Sequence, residues 1–156
     1  MIKSSVRTGI VLGMCLLSST AFSDNKISNN VYEMELHISN NSPYTLVKNS
    51  DILEGGEWAA ERKLPEYIIF YRKANAAASP HRLTRYLVSK TEFSVETQES
   101  KIGTCSLYAE NHIKNAPISE IKCTVSTPYH IYTDKRIITG YPKNIFDFSV
   151  SHREVL

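Results

Sequence analysis

The chain has 156 residues, of which 42% are hydrophobic, 10% aromatic and 22% charged, with a formal net charge of +2. This composition is typical of a globular protein and excludes collagen-like, low-complexity and wholly disordered chains. The length matches a single domain that can bury a substantial hydrophobic core.

The first 23 residues have the features of a secretory signal peptide. Lys3 and Arg7 precede a short apolar run, and Ala21 and Ser23 are small residues at the two positions that a signal peptidase recognises. The run is too short to span a bilayer comfortably as a permanent anchor. We predict cleavage after Ser23, which leaves a single domain over residues 24–156 in a secreted or periplasmic protein. The alternative is an uncleaved N-terminal anchor.

The charges are balanced over the whole chain but uneven along it. Without Lys3 and Arg7 there are 16 basic and 16 acidic residues, so a global basic field for binding nucleic acid is absent. Residues 60–90 nevertheless hold seven basic residues and two acidic ones. This segment is either a solvated surface or a binding patch.

The mature chain begins with patterns typical of β-strands. Residues 32–39 alternate between apolar and polar side chains, which predicts a strand with one buried and one wet face. A turn is predicted over residues 40–43, where Asn, Ser and Pro cluster. Residues 44–47 resume the extended pattern, and Gly55 with Gly56 permits a tight reversal before Trp58.

The next segment is predicted to be less regular. Residues 57–64 are compatible with one or two helical turns, which Pro65 ends. Residues 67–71 (Tyr-Ile-Ile-Phe-Tyr) are apolar or aromatic at every position, which predicts a strand buried on both faces. Residues 75–80 are small and predict a loop.

The second half of the chain contains further short apolar or alternating segments separated by turn signals. They cover residues 85–89, 92–98, 104–110, 120–125, 129–132, 137–139 and 145–151. Short strands at such spacing predict an all-β fold, an antiparallel β-sandwich in one domain.

Two cysteines remain after signal cleavage, Cys105 and Cys123. An even number of cysteines in an exported chain predicts a disulfide. Both lie on the inward side of alternating segments, so the bridge can join neighbouring strands or facing sheets.

The sequence lacks recognisable catalytic and metal-binding motifs. GxSxG, HExxH and GxxxxGK[ST] are absent, and the five histidines are scattered without ligand spacing. We therefore expect no catalytic residues, no metal and no cofactor. A small hydrolase whose reactive groups are assembled only by the fold is the third-ranked interpretation.

The aromatic residues suggest binding rather than catalysis. Tyrosine and tryptophan combine an apolar ring with a polar group, which suits protein interfaces, sugar platforms and the bilayer boundary. Trp58 lies near Arg62 and Lys63 in the sequence, and Tyr129 and Tyr132 lie near further cations. The alternative is that these rings fill the core.

Several short motifs resemble aegerolysins and the small insecticidal crystal proteins related to them. Residues 36–46 (LHISNNSPYTL) resemble their first strand, turn and second strand, and Gly56-Glu57-Trp58 followed by Pro65-Glu66-Tyr67-Ile68 matches the order of two later elements. Two features differ: His130 stands where a Gly-Ser-Asn run is expected, and a basic segment over residues 72–85 is extra. The resemblance implies a β-sandwich of the cytolysin type and lipid recognition, sometimes with a second protein that forms the pore.

The sequence therefore predicts a non-enzymatic secreted protein that binds lipid headgroups or membranes, as a cytolysin or virulence component. The predicted interfacial rings and headgroup-binding cations are Trp58, Tyr129, Tyr132, Arg62, Lys63, Arg82 and Arg85. The alternative is an exported protein-binding module, such as an inhibitor, an immunity factor or an adhesion accessory. A nucleic-acid partner is not expected, and the oligomeric state is left open.

Overall fold

The computed structural model describes residues 33–153, which lie in one compact unit. The predicted signal peptide and its cleavage after Ser23 lie outside the described residues and stay predictions. None of residues 33–153 is helical.

Ten strands form two five-stranded sheets within the described residues. The strands are β1 Glu33–Asn41, β2 Thr45–Glu54, β3 Gly56–Trp58, β4 Tyr67–Ile68, β5 Arg72–Pro80, β6 Tyr86–Glu96, β7 Lys101–His112, β8 Ile118–Val125, β9 Tyr132–Ile138 and β10 Lys143–Ser151. Sheet A has the order β3-β5-β1-β10-β9, and sheet B has the order β4-β2-β6-β7-β8. The predicted all-β sandwich is confirmed.

The strands are antiparallel with one exception. β1 and β10 pair in parallel, from Glu33 opposite Lys143 to Asn41 opposite Ser151. This pair lies at the centre of sheet A and brings the first and last described strands together. The other pairs of described strands are antiparallel, as predicted.

The core lies between the sheets and follows the predicted alternation. Leu36 and Ile38 of β1 and Phe146 and Phe148 of β10 are fully buried, whereas their sequence neighbours face outward. Complete burial of one such side chain stabilises the fold by about 1.5–3 kcal/mol. The two alternating segments therefore form the centre of the core.

Cys105 and Cys123 form the predicted disulfide. They lie directly opposite each other on β7 and β8. Of the two geometries that the sequence left open, the bridge therefore joins neighbouring strands of one sheet.

Three local predictions were wrong. Residues 57–64 contain the end of β3 and a turn instead of helical turns. Residues 75–80 belong to β5, because Ala76 and Ala78 are buried against the core and their small side chains allow close packing rather than a loop. Residues 67–71 form a two-residue strand followed by an exposed turn.

The reversal at Gly55 was predicted correctly, and its backbone requires glycine. Gly55 has φ +86°, and a Cβ there would lie 2.2 Å from the carbonyl oxygen of Tyr86. A larger residue would combine a strained backbone with a steric clash.

The sandwich has two ends, which we name by the termini of β1. The Asn41 end carries the connections at 42–44, 69–71, 97–100 and 126–131, and the Glu33 end carries those at 55, 81–85, 113–117 and 139–142. A nine-residue strand places the two ends about 25 Å apart.

Candidate functional site

The structure separates the sequence-predicted site residues. Arg82 and Arg85 are exposed in the connection between β5 and β6 at the Glu33 end. Tyr129 and Tyr132 lie at the Asn41 end, on the other side of the molecule. The predicted residues therefore do not form one continuous surface.

Trp58 faces the interior. It is half-buried and packs against the hydrophobic core, opposite Ala78 in the pairing of β3 with β5. Its indole Nε1 is buried, and no hydrogen-bond acceptor among the described residues reaches it. The ring contributes to packing rather than to the outer surface.

Arg62 is engaged in an ion-pair cluster around the buried carboxylate of Glu35. Its Nη1 lies 3.1 Å from Glu35 Oε1, while Lys143 Nζ lies 2.5 Å from the same oxygen. His37 Nε2 lies 3.0 Å from Oε2. Lys63, the next residue after Arg62, is exposed.

This cluster controls the ionisation of Glu35. Burial raises the pKa of the carboxyl, but the hydrogen bonds from Lys143, His37 and Arg62 outweigh burial and lower the pKa from 4.5 to about 2. Arg62 therefore neutralises the covered charge of Glu35 and joins the 59–62 segment to β1.

Tyr129 and Tyr132 have different environments at the Asn41 end. Tyr129 is half-buried and packs edge-on against Tyr44, with ring centroids 5.9 Å apart and an interplanar angle of 86°. Tyr132 opens β9 and is exposed. Only the second ring is free to lie flat against an external surface.

The most prominent feature of the Asn41 end was missed by the sequence analysis. Four large apolar or aromatic side chains are exposed in residues 67–71, which we call the aromatic loop. Their exposed fractions are 62% for Tyr67, 50% for Ile69, 49% for Phe70 and 67% for Tyr71. Only Ile68 between them is buried. A contiguous exposed apolar group of this kind marks an interaction site more often than a scattered hydrophobic residue does.

The buried side chain of Asn40 fixes the base of the aromatic loop. Its Nδ2 donates hydrogen bonds to the carbonyl oxygens of Tyr44 at 2.8 Å and Ile68 at 3.0 Å, with a longer one to Ile69 at 3.4 Å. Its Oδ1 accepts a hydrogen bond from Ser42 Oγ at 2.6 Å. The predicted turn at residues 40–43 therefore also anchors the loop that follows β4.

The tip of the aromatic loop has an unusual backbone. Tyr71 has φ +58°, a left-handed conformation that costs a non-glycine residue about 1–2 kcal/mol. The rings of Phe70 and Tyr71 pack edge to face, with centroids 6.2 Å apart. A strained backbone that holds two exposed rings is typical of functional sites.

Cations lie immediately beside the aromatic loop. Arg72 and Lys73 follow Tyr71 and are exposed at the start of β5. Because β5, β1, β10 and β9 are successive strands of sheet A, Tyr132 lies about 14 Å across the same end from Arg72. The Asn41 end thus combines exposed rings with a flanking positive charge.

The described residues show no arrangement suited to a metal or to membrane spanning by a helix. No group of three or more His, Cys, Asp or Glu side chains within residues 33–153 is placed to hold a metal ion. In the same residues there is no helix long and apolar enough to cross a bilayer.

Comparisons with known proteins give matches among solved structures alone. No protein-family model matches the sequence, and no curated protein matches it. Among solved structures the chain is similar to RahU, an aegerolysin-family protein crystallised in complex with a Tris molecule. The two are 13% identical, the alignment covers 80% of this chain and 98% of that chain, and the TM-score is 0.48. This similarity assigns neither a family nor a ligand to the chain.

Proposed function

We propose that this chain is an exported protein that binds lipid bilayers through the Asn41 end, with the aromatic loop in the headgroup region. One observation carries the proposal: Tyr67, Ile69, Phe70 and Tyr71 are exposed together on a loop that buried Asn40 holds from below. The sequence resemblance to aegerolysins and the disulfide, which suits an oxidising compartment, agree with it.

The chemistry of the loop suits the bilayer interface. Tyrosine rings are favoured at headgroup level, and burial of Phe70 and Ile69 in the acyl boundary removes their apolar surface from water. Each such side chain contributes about 1.5–3 kcal/mol when fully buried. Because the loop is fixed before binding, little conformational entropy is lost when it inserts.

Arg72 and Lys73 add electrostatic attraction to an anionic surface. Each cation near such a surface contributes about 1 kcal/mol, and salt reduces this contribution. We assign Tyr132 to the same surface, whereas Tyr129 packs against Tyr44 and the core at the same end. Arg82 and Arg85 lie at the opposite end and are not part of this surface.

Cosedimentation with lipid vesicles tests the proposal. We expect the wild type to sediment with vesicles of phosphatidylcholine and phosphatidylserine and to be partly released by salt. The double variant Phe70→Ser/Tyr71→Ser is expected to bind at least about tenfold more weakly, because two inserting rings are lost. Leu83→Ser removes an exposed apolar side chain at the Glu33 end and is the matched control. Equal binding by the double variant and the wild type would contradict the proposal.

Two further variants compare the ends of the sandwich by charge. Arg72→Gln/Lys73→Gln is expected to weaken binding to anionic vesicles, whereas Arg82→Gln/Arg85→Gln is expected to leave it unchanged. The reverse pattern would move the binding surface to the Glu33 end. The sequence resemblance extends the proposal to a component of a cytolysin, and release of dye from the same vesicles, with and without a second protein, tests that extension.

The Glu33 end favours a second candidate function, an exported protein-binding module. Leu83 is 92% exposed with φ +73°, between Arg82 and Arg85. A strained backbone at an exposed turn is typical of functional sites, and arginine is enriched at protein interfaces. Stoichiometric capture of one protein by the wild type, and its loss in Leu83→Ser, would support this candidate.

A further inference from the structure

A groove lies on the outer face of sheet B, away from both ends of the sandwich. It has a volume of about 320 Å³ and crosses β2, β6, β7 and β8. The short side chains of Ser50 and Ser106 form part of its lining, next to the longer side chain of Tyr108. This volume is at the lower end of the range for small-ligand sites.

Tyr108 is held in place by a chain of contacts along β7. Its hydroxyl donates a hydrogen bond of 2.5 Å to Glu110 Oε2, and the other oxygen of Glu110 is hydrogen-bonded to His112 Nε2. The ring of Tyr86 packs against His112, with centroids 5.8 Å apart. The four side chains fix one another on the outer face.

The hydrogen bond between Tyr108 and Glu110 also fixes the direction of the Tyr108 ring. Residues 108 and 110 are about 6.6 Å apart along the strand, so the tyrosine must lean along β7 to reach Glu110. The hydrogen bond to Glu110, together with burial, raises the pKa of the Tyr108 hydroxyl to about 12. The ring is therefore a neutral, positioned platform beside the groove.

The charged groups around the platform alternate in sign. Across the strands, Tyr108 lies between Lys90 and Glu120, and the next outward position, Ser106, lies between Glu92 and Lys122. All four charged residues line the groove, and their formal charges cancel. Because β6 and β8 each present one cation and one carboxylate, a strongly charged ligand of either sign would be repelled from both strands. Hydroxyl groups both donate and accept hydrogen bonds and so match the alternating charges.

We infer that this groove binds a neutral saccharide, with one sugar ring against Tyr108 and its hydroxyls hydrogen-bonded by Glu120 and Lys122. An aromatic platform beside alternating donors and acceptors supplies the two interactions that a sugar ring offers, an apolar C–H face and a rim of hydroxyls. The same chemistry is presented by a free oligosaccharide, a protein-linked glycan and a glycolipid headgroup. The inference is independent of the bilayer-binding function proposed above.

Chemical-shift mapping by NMR with uncharged disaccharides tests the inference. The probes are maltose, cellobiose, lactose, mannobiose and diacetylchitobiose, with sialyllactose and inorganic phosphate as charged comparisons. At least one uncharged disaccharide is expected to shift the backbone amide signals of Ser106, Tyr108 and Lys122, and to bind more tightly than either charged probe. No shift with any disaccharide, shifts confined to other residues, or preference for a charged probe would overturn the inference.

Substitutions of groove residues test which side chains contribute to saccharide binding. Tyr108→Ala is expected to weaken binding of the tightest disaccharide by about tenfold, equivalent to about 1.4 kcal/mol. The control is Tyr141→Ala, which replaces an exposed tyrosine at the Glu33 end, outside the groove, and is expected to leave the affinity unchanged. If Tyr108→Ala does not fold, Glu120→Ala and Lys122→Ala, both of exposed residues, carry the test with an expected loss of about threefold each. Unchanged affinity in these variants would overturn the inference.

One comparison distinguishes a soluble sugar from a glycolipid headgroup, and a second distinguishes saccharide binding from bilayer binding. Binding of soluble disaccharides indicates a free sugar or a protein-linked glycan as the ligand. Tighter binding to vesicles that carry a neutral glycolipid indicates a membrane source. Phe70→Ser/Tyr71→Ser is expected to weaken binding to sugar-free vesicles at least about tenfold and to leave disaccharide affinity unchanged. Loss of both activities in that variant, with the fold intact, would show that the groove does not act independently.

Discussion

Asn40 Nδ2 donates a hydrogen bond of 3.0 Å to the carbonyl oxygen of Ile68, 28 residues further along the chain. The bond links the end of β1 to the end of β4 across the Asn41 end of the sandwich. The backbone of the aromatic loop therefore depends on a side chain that is itself fully buried in the first strand.

Replacement of Asn40 is expected to loosen the aromatic loop. Asn40→Leu replaces the amide with a larger apolar side chain of similar branching and leaves the buried carbonyl groups of Tyr44 and Ile68 without their donor, and each such group costs about 1–3 kcal/mol. We expect urea denaturation to show a free energy of unfolding lower by about 2–4 kcal/mol, and vesicle binding to fall with it. Asn41→Ala, at the exposed neighbouring position, serves as control. An Asn40→Leu protein with wild-type stability would show that Asn40 does not fix the loop.

Tyr71 is expected to contribute to binding at the expense of stability. Asparagine tolerates its left-handed backbone better than tyrosine does. Tyr71→Asn is therefore expected to leave the free energy of unfolding unchanged or to raise it by up to about 1 kcal/mol, while weakening vesicle binding. Thermal melts and cosedimentation measure the two effects. A variant that is destabilised by more than this would contradict the assignment of strain to Tyr71.

The parts of the fold that sequence reasoning predicted correctly are those in which one face of a strand is buried. Residues 32–39 and 145–151 alternate because β1 and β10 each present one face to the core. The disulfide was predictable from cysteine number, and the pairing of β7 with β8 placed Cys105 opposite Cys123. Local alternation is sufficient for such elements.

The aromatic loop was not predictable in the same way. Five consecutive apolar or aromatic residues have the same composition whether they form a buried strand or an exposed tip. The pairing of β4 with β2 stops at Ile68. There the side-chain amide of Asn40 donates hydrogen bonds to the carbonyl oxygens of Ile68 and Ile69, and the chain turns at Tyr71. The hydrogen bonds from Asn40 are tertiary, so no window of sequence around residue 70 contains them.

The basic segment shows a second limit of sequence reasoning. Arg62 and Arg82 belong to one positively charged stretch of sequence, but β5 runs between them along the length of sheet A. The guanidinium of Arg62 pairs with Glu35 of β1, whereas Arg82 lies beyond the end of β5. Proximity in sequence therefore did not place these cations on one surface.

Acid is expected to remove the stabilisation that the Glu35 cluster provides. The pKa of Glu35 is about 2 in the folded protein and 4.5 without the cluster. Because the folded value is the lower one, the contribution is complete above about pH 5 and is lost as the pH falls from 4.5 towards 2. The difference corresponds to roughly 3 kcal/mol, which solvent screening of Arg62 and Lys143 reduces to about 2 kcal/mol.

Urea denaturation of the wild type and of Glu35→Gln as a function of pH measures this contribution. The difference in stability between the two proteins is expected to be constant at neutral pH and to shrink below about pH 4. A difference that stays constant down to pH 2 would show that the folded protein does not lower the pKa of Glu35.

Reduction of the Cys105–Cys123 disulfide is expected to destabilise the edge of sheet B. The bridge joins β7 to β8, the terminal strand of that sheet, across a sequence separation of 18 residues. Loop-closure entropy for a loop of this length corresponds to about 3 kcal/mol. We expect reductant to lower the free energy of unfolding of the wild type by about 2–4 kcal/mol and to leave Cys105→Ala/Cys123→Ala unaffected. If the two proteins respond equally to reductant, the effect does not arise from this bridge.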